Sequence, residues 1–227
     1  MSSPFETHAD RVVVDVWSDV SCPFCYIGDT VLARAAEDFE HPVEVRYHSY
    51  QLSPELSHEH TQPVNEMLAA HKGMPLEQVV EMNRQVSARA ADEGLTFDTD
   101  AALAINTRTA HRLIHHARTQ GKDHAMVIRL FKAYFTDGLN VGDHEVLADL
   151  AAEVGLDREA ALAVAQSDEH ADAVDADLDL ARQIGITGVP FFVLDGKYAV
   201  QGAQPVEAFR QALATAWAEH EGGSGQV

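Results

Sequence analysis

Apolar positions run almost without a break through Val12-Val13-Val14-Asp15-Val16-Trp17. A strand apolar on both faces predicts a central position in a sheet covered by helices on each side. Gly28 to Phe39 has the pattern of a helix, and Val43, Val45 and Tyr47 then alternate with Glu44, Arg46 and His48, the period of two of a second strand. Strand, helix and strand make a βαβ start. From about residue 62 to 166 the pattern turns helical. Pro63 and Pro75 sit where first helical turns begin, and Leu103, Ala110, Leu113 and Ala117 mark one face of a third helix, with Asn106 on the same stripe. Met126, Val127, Leu130, Phe131 and Tyr134 belong to a fourth helical segment, and Val174, Leu178 and Ala181 to a later helix that Gly185 would stop. Phe191 to Leu194 and Tyr198 to Gln201 flank Asp195-Gly196, a two-residue hairpin signal that makes the last two strands antiparallel. Val206, Phe209, Leu213 and Trp217 predict a closing helix, and the segment from Glu221 reads as a frayed tail.

These elements predict an α/β fold with a mixed β-sheet and a large α-helical insertion. The core spans residues 12–56 and 167–220, the insertion 57–166, and residues 1–11 and 221–227 are flexible termini. With 46% apolar and 23% charged residues, 227 residues suffice for one globular domain with an insertion. No apolar stretch approaches the roughly 20 residues that cross a bilayer. The N-terminus has neither a basic nor an apolar signal region, so a cytoplasmic location is expected. With 36 acidic and 16 basic residues the net charge is −20, which repels nucleic acid and anionic membranes.

Cys22-Pro23-Phe24-Cys25 holds both cysteines of the chain, at the junction of the first strand and helix. Two intervening residues at a helix start bring two thiols within disulfide reach, and the unpaired N–H groups of the first turn favour a thiolate on the first sulfur. Cys22 is then the attacking sulfur, and the more buried Cys25 closes the disulfide and releases the partner. A structural disulfide across so short a loop would constrain the unfolded chain little. A zinc site needs about four ligands, and neither a second cysteine pair nor a nearby histidine completes one. An incidental pair of core cysteines is the remaining alternative.

A second signal is Thr187-Gly188-Val189-Pro190-Phe191-Phe192-Val193. Proline at the first residue of a strand costs no ladder bond. An X-Pro bond is also the peptide link that is cis at small cost, and a cis bond here would present the Val189 backbone to an extended peptide. An ordinary trans proline opening a strand is the alternative.

The two motifs together resemble the thioredoxin superfamily in its DsbA-like branch. Ser18-Asp19-Val20-Ser21-Cys22-Pro23-Phe24-Cys25-Tyr26-Ile27-Gly28, with Tyr50-Gln51-Leu52-Ser53-Pro54, Asn106-Thr107 and Ala110-His111-Arg112-Leu113, is similar to the FrnE-like group over most of residues 12 to 218. The resemblance implies a thioredoxin-like fold in which Cys22 attacks, Cys25 resolves and Pro190 is cis beside them. Related glutathione transferases of the kappa class and hydroxychromene carboxylate isomerases usually carry serine at the first position, so two cysteines favour dithiol redox chemistry.

The expected activity is thiol-disulfide exchange with protein or small-molecule thiols and disulfides, glutathione among them, by a monomer or homodimer without a cofactor. A single-thiol isomerase or transferase and a non-catalytic redox-sensing or chaperone-like protein are the alternatives. Main-chain pairing at Val189 would hold an extended substrate, and Phe24 would add an apolar contact, while Tyr26 either packs or joins it. Asn106 is either a cleft residue that binds substrate or a helix-face asparagine bonded to nearby backbone. His111 and His115 stand four apart on one helical face, a spacing that can bind metal. With no third ligand in sequence they are expected to be solvent-facing or satisfied, and no metal is assigned.

Overall fold

The computed structural model describes residues 5–57 and 61–223. β1 (Val12–Ser18) is buried along its whole length, as its two apolar faces require. It pairs in parallel with β2 (Val43–Ser49) and antiparallel with β5 (Phe191–Leu194), which pairs antiparallel with β6 (Tyr198–Gln201). The sheet order is β2-β1-β5-β6. α1 (Pro23–Glu37) connects β1 to β2, and α9 (Val206–Gly223) packs against α1 and the sheet through Phe209 and Leu213, both fully buried.

Between β2 and β5 the described residues form a two-stranded ladder, β3 (Gln62–Pro63) with β4 (Leu103–Ala104), and seven helices. These are α2 (Val64–Lys72), α3 (Leu76–Asp92), α4 (Arg108–Arg118), α5 (Asp123–Phe135), α6 (His144–Glu153), α7 (Arg158–Ala165) and α8 (Ala171–Gln183). One cluster of buried side chains runs from Val14 and Val16 of β1 through Tyr26 of α1 to Leu130 and Phe131 of α5 and Leu147 and Leu150 of α6. Tyr26 stacks on Phe131 with ring centroids 5.1 Å apart, so this tyrosine is a packing residue that ties the core to the insertion. No helix among the described residues is long and apolar enough to cross a membrane.

Several expectations need correction. α1 begins at Pro23, five residues before Gly28, because proline is suited to a first helical position and leaves no N–H to satisfy. The third helix does not include Leu103 or Asn106: Leu103 pairs with Pro63 across the β3–β4 ladder, and α4 starts only at Arg108. The hairpin loop has three residues where two were expected. Asp195 and Gly196 both take left-handed backbone (φ 48 and 65), Lys197 N–H donates to Leu194 O at 3.0 Å, and the ladder resumes at Leu194 opposite Tyr198. Asp195 is occupied elsewhere: its N–H donates to Val13 O at 2.8 Å and its carboxylate accepts from Val13 N at 2.9 Å. The N-terminal segment is not loose throughout, since Phe5 packs edge-on against Trp17 with centroids 6.2 Å apart. At the other end α9 continues through Gly223; residues 1–4 and 224–227 lie outside the described residues.

Candidate active site

Cys22 caps the N-terminus of α1 in an extended conformation (φ −90, ψ 113), with Pro23 as the first helical residue. Its N–H donates to Asp19 O and its carbonyl accepts from Cys25 N, each at 3.0 Å, so Cys25 lies in the first turn. Both thiols are free and buried, at 3% and 1% exposure. The Val189–Pro190 peptide bond is cis, and Val189 O accepts from Cys22 Sγ at 3.6 Å. A β-carbon on Gly28 would come within 3.1 Å of both Pro190 Cγ and Phe192 Cζ, so glycine at this point lets α1 approach the proline loop closely.

The two sulfurs differ in access and in ease of ionisation. Cys22 borders a groove; Cys25 does not. Burial pushes the Cys25 thiol well up, and the hydrogen bond and charge of Cys22 and the charge of Asp19 push it further. Asp19 is itself 1% exposed. Its carboxylate accepts from Leu52 N at 2.8 Å and Ser21 N at 3.3 Å, and His111 Nε2 lies 3.4 Å away. Burial alone would raise the Asp19 pKa, but the His111 contact and the Leu52 amide offset it and hold the carboxyl below its usual range. Asp19 therefore stays charged and anchors both the 19–25 turn and the loop after β2.

Behind this, Asp177 of α8 joins the sheet to α4. It accepts from Ser49 N at 2.8 Å, pairs with His48 Nδ1 at 2.7 Å and with His115 Nε2 at 3.0 Å, while His48 Nε2 reaches Asp15 at 2.8 Å. Trp17 stacks on His48, centroids 4.4 Å apart. Burial opposes charge on both Asp177 and His48, yet their mutual pairing, with His115 and Asp15, lowers the Asp177 pKa and raises that of His48. His111 and His115 are thus buried and not solvent-facing: His115 is satisfied by Asp177, and His111 faces a different buried carboxylate, Asp19. The spacing on α4 was visible in the sequence, but the partners come from the β1–α1 turn and α8.

The groove at Cys22 holds about 370 Å³ and is walled by Leu52, Leu56, Met67, Met82, Ile105 and Phe135 among others. Phe24 stands 44% exposed at its edge and Val189 also lines it. Asn106 is 3% exposed and not on the wall. Its Nδ2 donates to Pro54 O at 2.9 Å and Leu56 O at 3.1 Å, and its Oδ1 accepts from Gln51 Nε2 and Arg108 N, both at 2.9 Å. With every polar position used inside the protein, Asn106 pins the 51–56 loop and caps the approach to α4, and has nothing left for a substrate. Of the residues singled out, Cys22, Phe24 and Val189 meet at the groove, and Cys25 and Pro190 stand directly behind. Sequence reasoning missed Asp19 and the groove walls of α2 and α3. Asp19 had a signal, an acid three residues before the first cysteine, but its burial depends on α4.

One grouping of metal-ligating side chains occurs among the described residues: His116, Glu169 and His170 bring their ligand atoms within 4.8 Å of one another. It lies where α4 ends and α8 begins, lines no part of the groove, and includes an exposed glutamate.

Comparison with known proteins agrees with this geometry. A probable DsbA oxidoreductase from Streptomyces coelicolor superposes with a TM-score of 0.87 at 42% identity, covering 92% of this chain and 91% of that one. The uncharacterised protein YwbO of Bacillus subtilis is 28% identical over 204 residues, 89% of this chain and 96% of its own. The cytosolic disulfide reductase DsbM of Pseudomonas aeruginosa shares the fold at a TM-score of 0.59 and 22% identity, over 89% of this chain and 97% of that one. The model of the DSBA-like thioredoxin domain matches residues 13–214, and the chain belongs to that family.

Proposed function

We propose that the protein is a thiol-disulfide oxidoreductase that works through a mixed disulfide on Cys22. The observation that carries this reading is the unequal placement of the two thiols, Cys22 on the groove and at the helix N-terminus, Cys25 closed behind it with its proton held tightly. In the reducing direction the Cys22 thiolate attacks one sulfur of a substrate disulfide. The S–S bond breaks, its electron pair leaves on the released thiolate, and a Cys22–substrate disulfide forms. Cys25 then loses its proton to solvent and attacks the Cys22 sulfur; the second substrate thiolate leaves, the released thiolates take up protons from solvent, and the Cys22–Cys25 disulfide retains the oxidation state of the original bond. Run backwards, the oxidised protein makes a disulfide in a dithiol. The Val189 N–H beside Pro190 has no partner among the described residues, which suits main-chain pairing with substrate. We place the protein within the FrnE-like group on its sequence motifs, and we propose a cytoplasmic location. The DsbM comparison is compatible with a reductive role there.

Cys22→Ser is expected to abolish turnover, and Cys25→Ser to accumulate a mixed disulfide when its Cys22 thiolate meets a symmetrical disulfide substrate, visible as the added mass of one substrate half, the other half leaving as thiolate. Absence of any adduct on Cys25→Ser overturns the assignment of roles. A second reading, a single-thiol isomerase or glutathione transferase, is favoured by one observation, that only Cys22 of the pair borders the groove. Activity toward a small electrophile that survives Cys25→Ser would select it.

A further inference from the structure

The groove says what kind of substrate Cys22 meets. Met67, Leu68, Met82, Val86, Ile105 and Phe135 belong to its apolar wall; Ser21, Ser53, Asn83 and Thr99 also line it, and Lys72, exposed at the end of α2, is the one charged side chain among the described residues that do. Its volume of about 370 Å³ stands at the lower end of the range for small-molecule sites. Thioether side chains adapt to the shape of a bound ring and attract its edge. Tyr134 also lines the groove, is 2% exposed, and has no hydrogen-bond partner among the described residues, while burial keeps its phenol protonated as a neutral donor. The exposed Phe24 and Leu52 continue the apolar surface outward from Cys22.

Such a wall is a poor match for glutathione. That tripeptide brings two carboxylates, an ammonium and two amides against a single charged side chain, Lys72, and a few neutral polar groups, and each polar group buried without a partner weakens binding. The molecule's charge of −20 further repels its anion. We infer that the substrate is a small disulfide or thiol whose sulfur carries an uncharged apolar body, aromatic or branched aliphatic, which occupies the groove while its sulfur meets Cys22. This rests on the exchange chemistry proposed above, and the reaction is the same: the leaving thiolate takes the electron pair of the broken S–S bond, and no further reactant is needed.

The test uses the reduced full-length protein against benzyl disulfide, bis(2-hydroxyethyl) disulfide and glutathione disulfide. Each rate constant is divided by that of free dithiothreitol with the same compound, which removes intrinsic reactivity. The benzyl compound should lead the other two by about tenfold or more after this correction, the equivalent of roughly 1.4 kcal/mol. Val86→Trp, which fills the groove, and Met67→Glu, which charges it, should each bring that ratio down toward one. A ratio of two rates on one sample is independent of how much of it is folded. Equal corrected rates in the unaltered protein, a lead for glutathione disulfide, or a benzyl preference untouched by both substitutions overturns the inference. If none of the three compounds is reduced, the exchange chemistry has failed and the substrate class falls with it.

Discussion

Cys25 is the residue whose chemistry depends most on its surroundings. Its burial, the adjacent Cys22 and the Asp19 carboxylate all act to keep it a thiol. In a Cys22→Ser background, Asp19→Asn should therefore shift the Cys25 titration, followed by thiolate absorbance, to lower pH, because a fixed negative charge has gone. No shift, or a shift upward, would mean that Asp19 acts only as an anchor. Cys22, Cys25 and Pro190 could be read from the sequence because their residue types, in those settings, have few other uses. Asp19 and Asp177 could not. A carboxylate in an acidic chain reads as surface, and these two are buried only because histidines from α4 and β2 come to meet them. For Asn106 the sequence left a cleft residue and a backbone-bonded one both open; three of its four partners are backbone groups, but on a loop some fifty residues earlier and at Arg108, not on a helix face.

Among the elements, α7 ends on a guanidinium. Arg112 of α4, 6% exposed, donates to Ala165 O at 3.1 Å and to Ser167 O, and at 2.6 Å to Val164 O, which Ser167 N also reaches, so it gathers the carbonyls at the end of α7. Arg112→Met should cost roughly 3 kcal/mol, read from the urea midpoint, because Ala165 O and Ser167 O would lose their guanidinium donor at once. The His48–Asp177 pair that clamps β2 to α8 gives a pH signature. Asp177 has a lowered pKa, so its contribution is complete above its ordinary 3.8 and is lost as pH falls through the lower folded value. His48 has a raised pKa, so its contribution is complete below its ordinary 6.5 and is lost as pH rises through the higher folded value. Stability from this pair should peak between those limits, and His48→Gln should flatten the alkaline decline in urea titrations across pH. An unchanged alkaline limb would contradict the clamp. Periodicity made the four strands of the sheet and most of the helices legible, α6 and α7 only as part of a helical region, but not β3 and β4. Two-residue strands carry no period, and only pairing across a long segment that includes α2 and α3 defines them.

For the molecule as a whole, the insertion and the sheet share one buried cluster, with Tyr26 of α1 stacked on Phe131 of α5. The groove at Cys22 is built from both parts, Ser21 to Phe24 on one side and α2, α3 and α5 on the other. That is why periodicity and motifs gave the chemistry at one wall and nothing of the other. The account stands or falls on the dithiol itself. Equilibrating the protein with defined ratios of reduced and oxidised glutathione, used as a redox buffer, and quantifying the Cys22–Cys25 disulfide measures it directly. The prediction is a single two-electron transition from dithiol to intramolecular disulfide, tenfold in the ratio of states for about 30 mV, absent from Cys22→Ser and from Cys25→Ser. Failure to form that disulfide at any ratio, with both thiols present, would contradict the proposed mechanism and leave Cys22 acting alone.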